Sequence, residues 1–113
     1  MKDFIKNLKS SFSIETCHHS YCKKWSKENP TAGHCAIASL VIQEKYGGDL
    51  AKVKVGSSTH YFNIIDDKII DVTSEQFKKQ IVYDNYVICD RNKMLKNIDT
   101  KSRYEKLLLK IGG

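Results

Sequence analysis

Residues 60–72 constrain the fold of this chain more tightly than any other stretch. They read His-Tyr-Phe-Asn-Ile-Ile, then Asp-Asp, then Lys-Ile-Ile-Asp-Val. Two runs rich in β-branched and aromatic side chains, separated by a pair of turn-forming aspartates, predict a β-hairpin. The pairing can be worked out on paper. With a two-residue loop at Asp66-Asp67, residue 62 faces residue 71 and residue 60 faces residue 73. Side chains alternate faces along a strand, so His60, Phe62 and Asp71 lie on one face. His60 and Asp71 are then diagonal neighbours, roughly 7–8 Å apart at the backbone, close enough for an imidazole–carboxylate hydrogen bond. A four-residue loop keeps this parity, whereas an odd loop without a bulge separates the two residues.

The rest of the chain supplies partners for that hairpin. Residues 35–45, Cys-Ala-Ile-Ala-Ser-Leu-Val-Ile-Gln-Glu-Lys, predict a helix closed by Gly47-Gly48. It is apolar nearly all round for two turns, the pattern of a buried helix. Phe4, Ile5, Leu8 and Phe12 recur at helical spacing over roughly the first dozen residues. Val53 and Val55 alternate with polar residues, and Tyr83 to Ile88 reads as a further strand. Thr73, with Gln76 three residues on, has the form of a capping box opening a short helix. From Asp90 the spacing is helical again, ending with Leu107, Leu108 and Ile111. The expected class is therefore α+β: N-terminal helices, a central buried helix on a small antiparallel sheet, and C-terminal helices.

At 113 residues, with 41% hydrophobic and 28% charged, the chain has the size and composition of a single globular domain over 1–113. No apolar run reaches the length of a membrane span, and the first residues lack the apolar stretch of a secretion signal. The four cysteines are then expected to be reduced, and the expected compartment is the cytoplasm. The net charge of +6 comes from lysines spread along the chain; the only arginines are Arg91 and Arg103. Nucleic-acid readers cluster their bases and favour arginine, so the charge reads as a solvated lysine-rich surface. The cluster Cys17-His18-His19-Ser20-Tyr21-Cys22 lacks the usual ligand spacing and a second pair of ligands. No metal and no cofactor are expected.

Cys35 stands where the buried helix begins. Backbone N–H groups and the helix dipole at that end favour a thiolate and can stabilise an oxyanion. A nucleophilic cysteine needs a base, and His60 begins the patterned strand; the base needs an orienting group, and Asp71 lies on the returning strand. Taken singly, each residue reads as core or cap: a small buried thiol, a satisfied histidine, an aspartate before a helix. Together, their order and the parity of the hairpin point to a thiol-dependent acyl-transfer site. Trp25 either lines such a site or packs in the core beside the cysteine loop.

The order of cysteine at a helix start, His-aromatic at a strand, then Ile-Asp-Val-Thr resembles the papain-like and transglutaminase-like core. More closely, the chain resembles the YunG-like family of small bacterial proteins. The resemblance rests on Ser13-Ile14-Glu15-Thr16, Trp25, Asn29-Pro30, Gly33-His34-Cys35-Ala36, Tyr46-Gly47-Gly48, His60-Tyr61-Phe62-Asn63, Ile70-Asp71-Val72-Thr73 with Gln76-Phe77, and Arg103-Tyr104. It implies a papain-like or transglutaminase-like domain with Cys35, His60 and Asp71 as the catalytic triad. His34 stands where the family usually has glutamine, so the resemblance makes it a candidate oxyanion donor. Asn29, six residues before Cys35, occupies the offset of the oxyanion glutamine of papain-like enzymes, although Asn29-Pro30 also has the form of an ordinary turn. The substrate class is open among peptide, protein and small amide, as is the choice between hydrolysis and transfer. The alternative is a non-catalytic binding or effector module that grips an acidic protein partner with the same scaffold.

Overall fold

The computed structural model of the chain describes residues 2–13, 16, 34–55, 58–73 and 81–112. The helices are α1 (Lys2–Ser10), α2 (Cys35–Tyr46), α3 (Arg91–Leu95) and α4 (Ile98–Gly112); the strands are β1 (Asp49–Val55), β2 (Ser58–Ile65), β3 (Lys68–Ile70) and β4 (Val87–Cys89). The strands form one antiparallel sheet in the order β3-β2-β1-β4. The molecule is α+β, as the sequence implies. One helix, α1, precedes α2 among the described residues.

The hairpin has the expected register. Ile65 pairs with Lys68, Ile64 with Ile69 and Asn63 with Ile70, which continues to Phe62 opposite Asp71. Asp66 and Asp67 both have positive φ, 52° and 63°, the signature of the turn whose twist matches paired strands. Aspartate tolerates this conformation because its short polar side chain can bond locally.

A close approach of backbones joins α2 to β1. Gly47 (φ 76°) ends the helix, and its N–H donates to the carbonyl of Gln43. At Gly48 (φ 80°) a Cβ would stand 2.5 Å from the carbonyl oxygen of Ile64, so the position admits only glycine without movement.

The pleat sorts the core into two layers. Leu50, Lys52, Tyr61, Asn63, Val87 and Cys89 share one face, because Leu50 pairs with Asn63 and Cys89, and Lys52 with Tyr61 and Val87. α2 packs on this face. Its Ile37 to Ile42 segment is buried, and Leu8 and Phe12 from the N-terminal segment and Tyr104 and Leu107 of α4 close over it. Asn63 is buried there because its Nδ2 donates to the carbonyl of Ser39 at 2.9 Å. On the other face Ala51, Val53, Phe62 and Ile81 form a smaller cluster.

The strand expected over Tyr83–Ile88 is shorter and later, at Val87–Cys89. Asp84 and Asn85 form a turn with Asn85 at φ 62°, which breaks the run and leaves Tyr83 ahead of it. The short helix expected after Thr73 falls at 74–80, outside the described residues. No helix among the described residues is long and apolar enough to cross a membrane.

Candidate functional site

Cys35 is the first residue of α2 and is half-buried. The first helical bond runs from the N–H of Ala38 to the carbonyl of His34 at 2.9 Å, so the N–H groups of Cys35, Ala36 and Ile37 precede the helical ladder. The N-cap residue, His34, makes no capping hydrogen bond with its side chain. These amides, with the helix dipole behind them, make the surroundings of the sulfur favourable to negative charge.

His60 lies on β2, opposite Val53 of β1 and beyond the part of the strand that β3 covers. It is fully buried, and the Cys35 side chain lies close enough to bear on the basicity of its imidazole. Its Nε2 lies 2.6 Å from Oδ2 of Asp71, whose side chain is 5% exposed. The structure thus joins His60 to Asp71 by a hydrogen bond and brings Cys35 within electrostatic reach of the same imidazole. The diagonal geometry of the hairpin is what brings His60 and Asp71 together.

Asp71 is held at both oxygens. The Tyr83 hydroxyl donates to Oδ2 at 2.7 Å, and the Thr73 N–H donates to Oδ1 at 3.2 Å. The second contact is the cap-like role open to an aspartate before Thr73; it coexists with the bond to His60 because the carboxylate has two oxygens. Tyr83 itself packs edge-on against Phe62, with ring centroids 4.9 Å apart. Sequence reasoning missed Tyr83 as a site residue. It lies twelve positions beyond Asp71 in no periodic pattern, and only the chain path after Thr73 returns it to the carboxylate.

The electrostatics follow from these contacts. Burial alone would lower the basicity of His60. The Asp71 hydrogen bond, then the hydrogen bond and charge of Cys35, and the charge of Asp71 outweigh it and raise the imidazole to about 9. Burial, then the hydrogen bond to Asp71 and its charge, push the Tyr83 hydroxyl up, so it remains a donor.

His34 is also fully buried, but its described contacts lie elsewhere. Its ring stacks on Phe12, with centroids 4.3 Å apart, and its Nε2 lies 2.7 Å from the Thr16 hydroxyl oxygen. These contacts hold His34, the residue before α2, against Phe12 and Thr16. Asn29 and Trp25, the other candidate oxyanion or substrate-binding residues, lie outside the described residues, as does the Cys17–Cys22 cluster. Among the described residues no group of three or more His, Cys, Asp or Glu side chains could hold a metal ion.

A cleft of about 640 Å³ opens on the inner face of the sheet; it reaches Ala36, next in sequence to Cys35, but is not lined by Cys35, His60 or Asp71. Its lining includes Ala36 of the first turn of α2, Lys52 and Tyr61 of the sheet, Val87 of β4, and Lys93 and Met94 of α3. Lys52, Tyr61 and Val87 are the part of the inner face that α2 leaves uncovered. The Tyr61 hydroxyl is pushed up first by burial and then by the charges of Cys89 and Cys35, which places it in the electrostatic reach of both thiols.

Over 76 residues, 67% of this chain, the sequence is 42% identical to "Uncharacterized protein YunG" of Bacillus subtilis (strain 168), and the match spans 62% of that protein's length. No solved structure matches the chain. The family described as YunG protein matches residues 1–112, almost the whole sequence, and the chain belongs to that family.

Proposed function

We propose that the protein is a thiol-dependent acyl-transfer enzyme on a papain-like or transglutaminase-like core, with Cys35 as nucleophile, His60 as acid and base, and Asp71 as the group that orients His60. The observation that carries this reading is the buried hydrogen bond between His60 and Asp71, with Cys35 at the N-terminus of a helix and within electrostatic reach of the same imidazole. With Nε2 engaged by Asp71, Nδ1 is the ring nitrogen that serves the sulfur.

In the first half-reaction His60 takes the Cys35 thiol proton, and the sulfur attacks the carbonyl carbon of an amide, ester or thioester. The carbonyl π-electrons move to oxygen, and the uncapped amides of the first turn of α2 stabilise that oxyanion. The oxyanion collapses, the bond to the leaving group breaks, and the imidazolium of His60 protonates the leaving amine, alcohol or thiol. In the second, His60 takes a proton from water or an amine, which attacks the thioester and regenerates the thiol. An imidazole raised to about 9 is well suited to hold the proton between these steps at neutral pH.

Brief alkylation with iodoacetamide at pH 7, followed by peptide mapping, tests the proposal. Cys35 is expected to label before Cys17, Cys22 and Cys89, and His60→Ala to slow that labelling on the order of a hundredfold, the lower end of the roughly 10²–10⁴-fold that a positioned base contributes. Equal labelling in wild type and His60→Ala, with the fold retained by circular dichroism, would overturn it and leave a non-catalytic module.

A further inference from the structure

The cleft carries more information than its position next to Cys35. Its floor is the open part of the inner sheet face, Lys52, Tyr61 and Val87, and its far wall is α3 and α4. It touches Val87, Ile88 and Cys89 in succession. Successive residues of a strand point to opposite faces, so a cleft in contact with all three runs along the edge of β4 and not only over one face. Among the described residues β4 is the last strand of the sheet in that direction. Its outer edge therefore presents backbone donors and acceptors to an incoming strand.

The side chains along this edge are of two kinds. Val87 and Ile88 are 55% and 52% exposed on opposite faces of β4, and Val87 lines the inner-face cleft together with Met94. Lys52 and Lys93 are exposed, and neither has an ion-pair partner among the described residues. The opposing charges are weaker or engaged. Asp90 accepts a hydrogen bond from the N–H of Asn92, and Arg103 is paired with Asp99 at 2.9 Å. Two ammonium groups facing one capping carboxylate leave the cleft electropositive. One end of it is Ala36, adjacent to the nucleophile of the proposed reaction.

From this we infer that the cleft is a peptide-binding site for an extended acidic segment. The segment adds as a strand along the outer edge of β4, lays apolar side chains on Val87 and Met94 on the inner face and on Ile88 on the other, and sets carboxylates against Lys52 and Lys93. Its backbone carbonyl is delivered to Cys35 at the α2 end. This substrate class rests on the acyl-transfer reading of Cys35, but the binding step can be measured separately from it. Main-chain pairing would supply affinity, and the lysines would select charge.

The test uses two peptidyl chloromethyl ketones that differ only in carrying glutamates or lysines, with each rate of Cys35 modification divided by the iodoacetamide rate of the same variant. The glutamyl probe is expected to react about tenfold faster at low salt, with the margin shrinking as ionic strength rises. Lys52→Glu/Lys93→Glu is expected to abolish or reverse the preference. Equal normalised rates, or a preference that survives the double variant, would overturn the inference while leaving Cys35 as nucleophile. The same peptides, fluorescein-labelled and without the ketone, are titrated by anisotropy against Cys35→Ala. Tighter binding of the glutamyl peptide, lost in Lys52→Glu/Lys93→Glu, supports the cleft even if Cys35 proves inert. Equal binding of the two peptides rejects it.

Discussion

Asp71 shows how one side chain can serve two demands that compete in sequence reasoning. Its Oδ1 caps the Thr73 N–H, and its Oδ2 receives both Tyr83 and His60. Asparagine has one acceptor oxygen and would face the same set of donors with a donor in place of the other. Asp71→Asn is therefore expected to slow alkylation of Cys35 at neutral pH while the chain stays folded. Superimposable pH–rate profiles for wild type and variant would reduce Asp71 to a capping residue. Tyr83→Phe separates the two parts of the network. It keeps the edge contact with Phe62 but removes the donated hydrogen bond, and is expected to cost about 1 kcal/mol in urea unfolding. It should also slow Cys35 alkylation several-fold, and an unchanged alkylation rate would make Tyr83 a packing residue alone. Neither role of Asp71 was hidden in the sequence; what the sequence withheld was that both hold at once.

At the scale of elements, the junction between α2 and β1 sets the position of the nucleophile helix against the sheet. Gly47 and Gly48 have similar positive φ, but only Gly48 lies where a Cβ would meet a backbone oxygen. Gly47→Ala is thus expected to cost about 1–2 kcal/mol from backbone strain alone, and Gly48→Ala more than that. Thermal denaturation of the two variants measures the difference. Equal costs would mean that β2 yields at Ile64, and the close approach would then not hold the helix in place. The β2–β3 hairpin was legible because a period of two and a two-residue turn allow only one register with Phe62 facing the core. β4 was misplaced because a three-residue strand at an edge has too few residues to show a period, and the turn at Asp84-Asn85 precedes it.

For the whole molecule, the buried charge network links stability to pH. The imidazole of His60 is raised from 6.5 to about 9 in the folded chain. A group that binds its proton more tightly when folded stabilises the fold fully below its unfolded value and loses that contribution as pH rises through the folded one. Stability is therefore expected to fall between about pH 6.5 and pH 9, the reverse of what a depressed carboxylate would give. The described groups facing His60 include Asp71, Cys35 and, through Asp71, Tyr83, so Asp71→Asn should flatten the slope. Melting temperatures across that range in wild type and Asp71→Asn measure it. A flat wild-type profile would mean that His60 is neutral in the folded protein.

The sequence by itself determined the α+β class, the buried α2 helix, the register of the hairpin and the alignment of His60 with Asp71. Each of these depends on local periodicity, turn chemistry or strand parity, which neighbouring residues fully specify. Tertiary structure alone decided the rest. It brought Tyr83 back to Asp71, turned His34 toward Phe12 and Thr16, paired β4 with β1, and left the inner sheet face open beside Ala36. These features depend on where the chain returns after a connection, and on which part of a face a helix is too short to cover. No periodicity within a single segment encodes either.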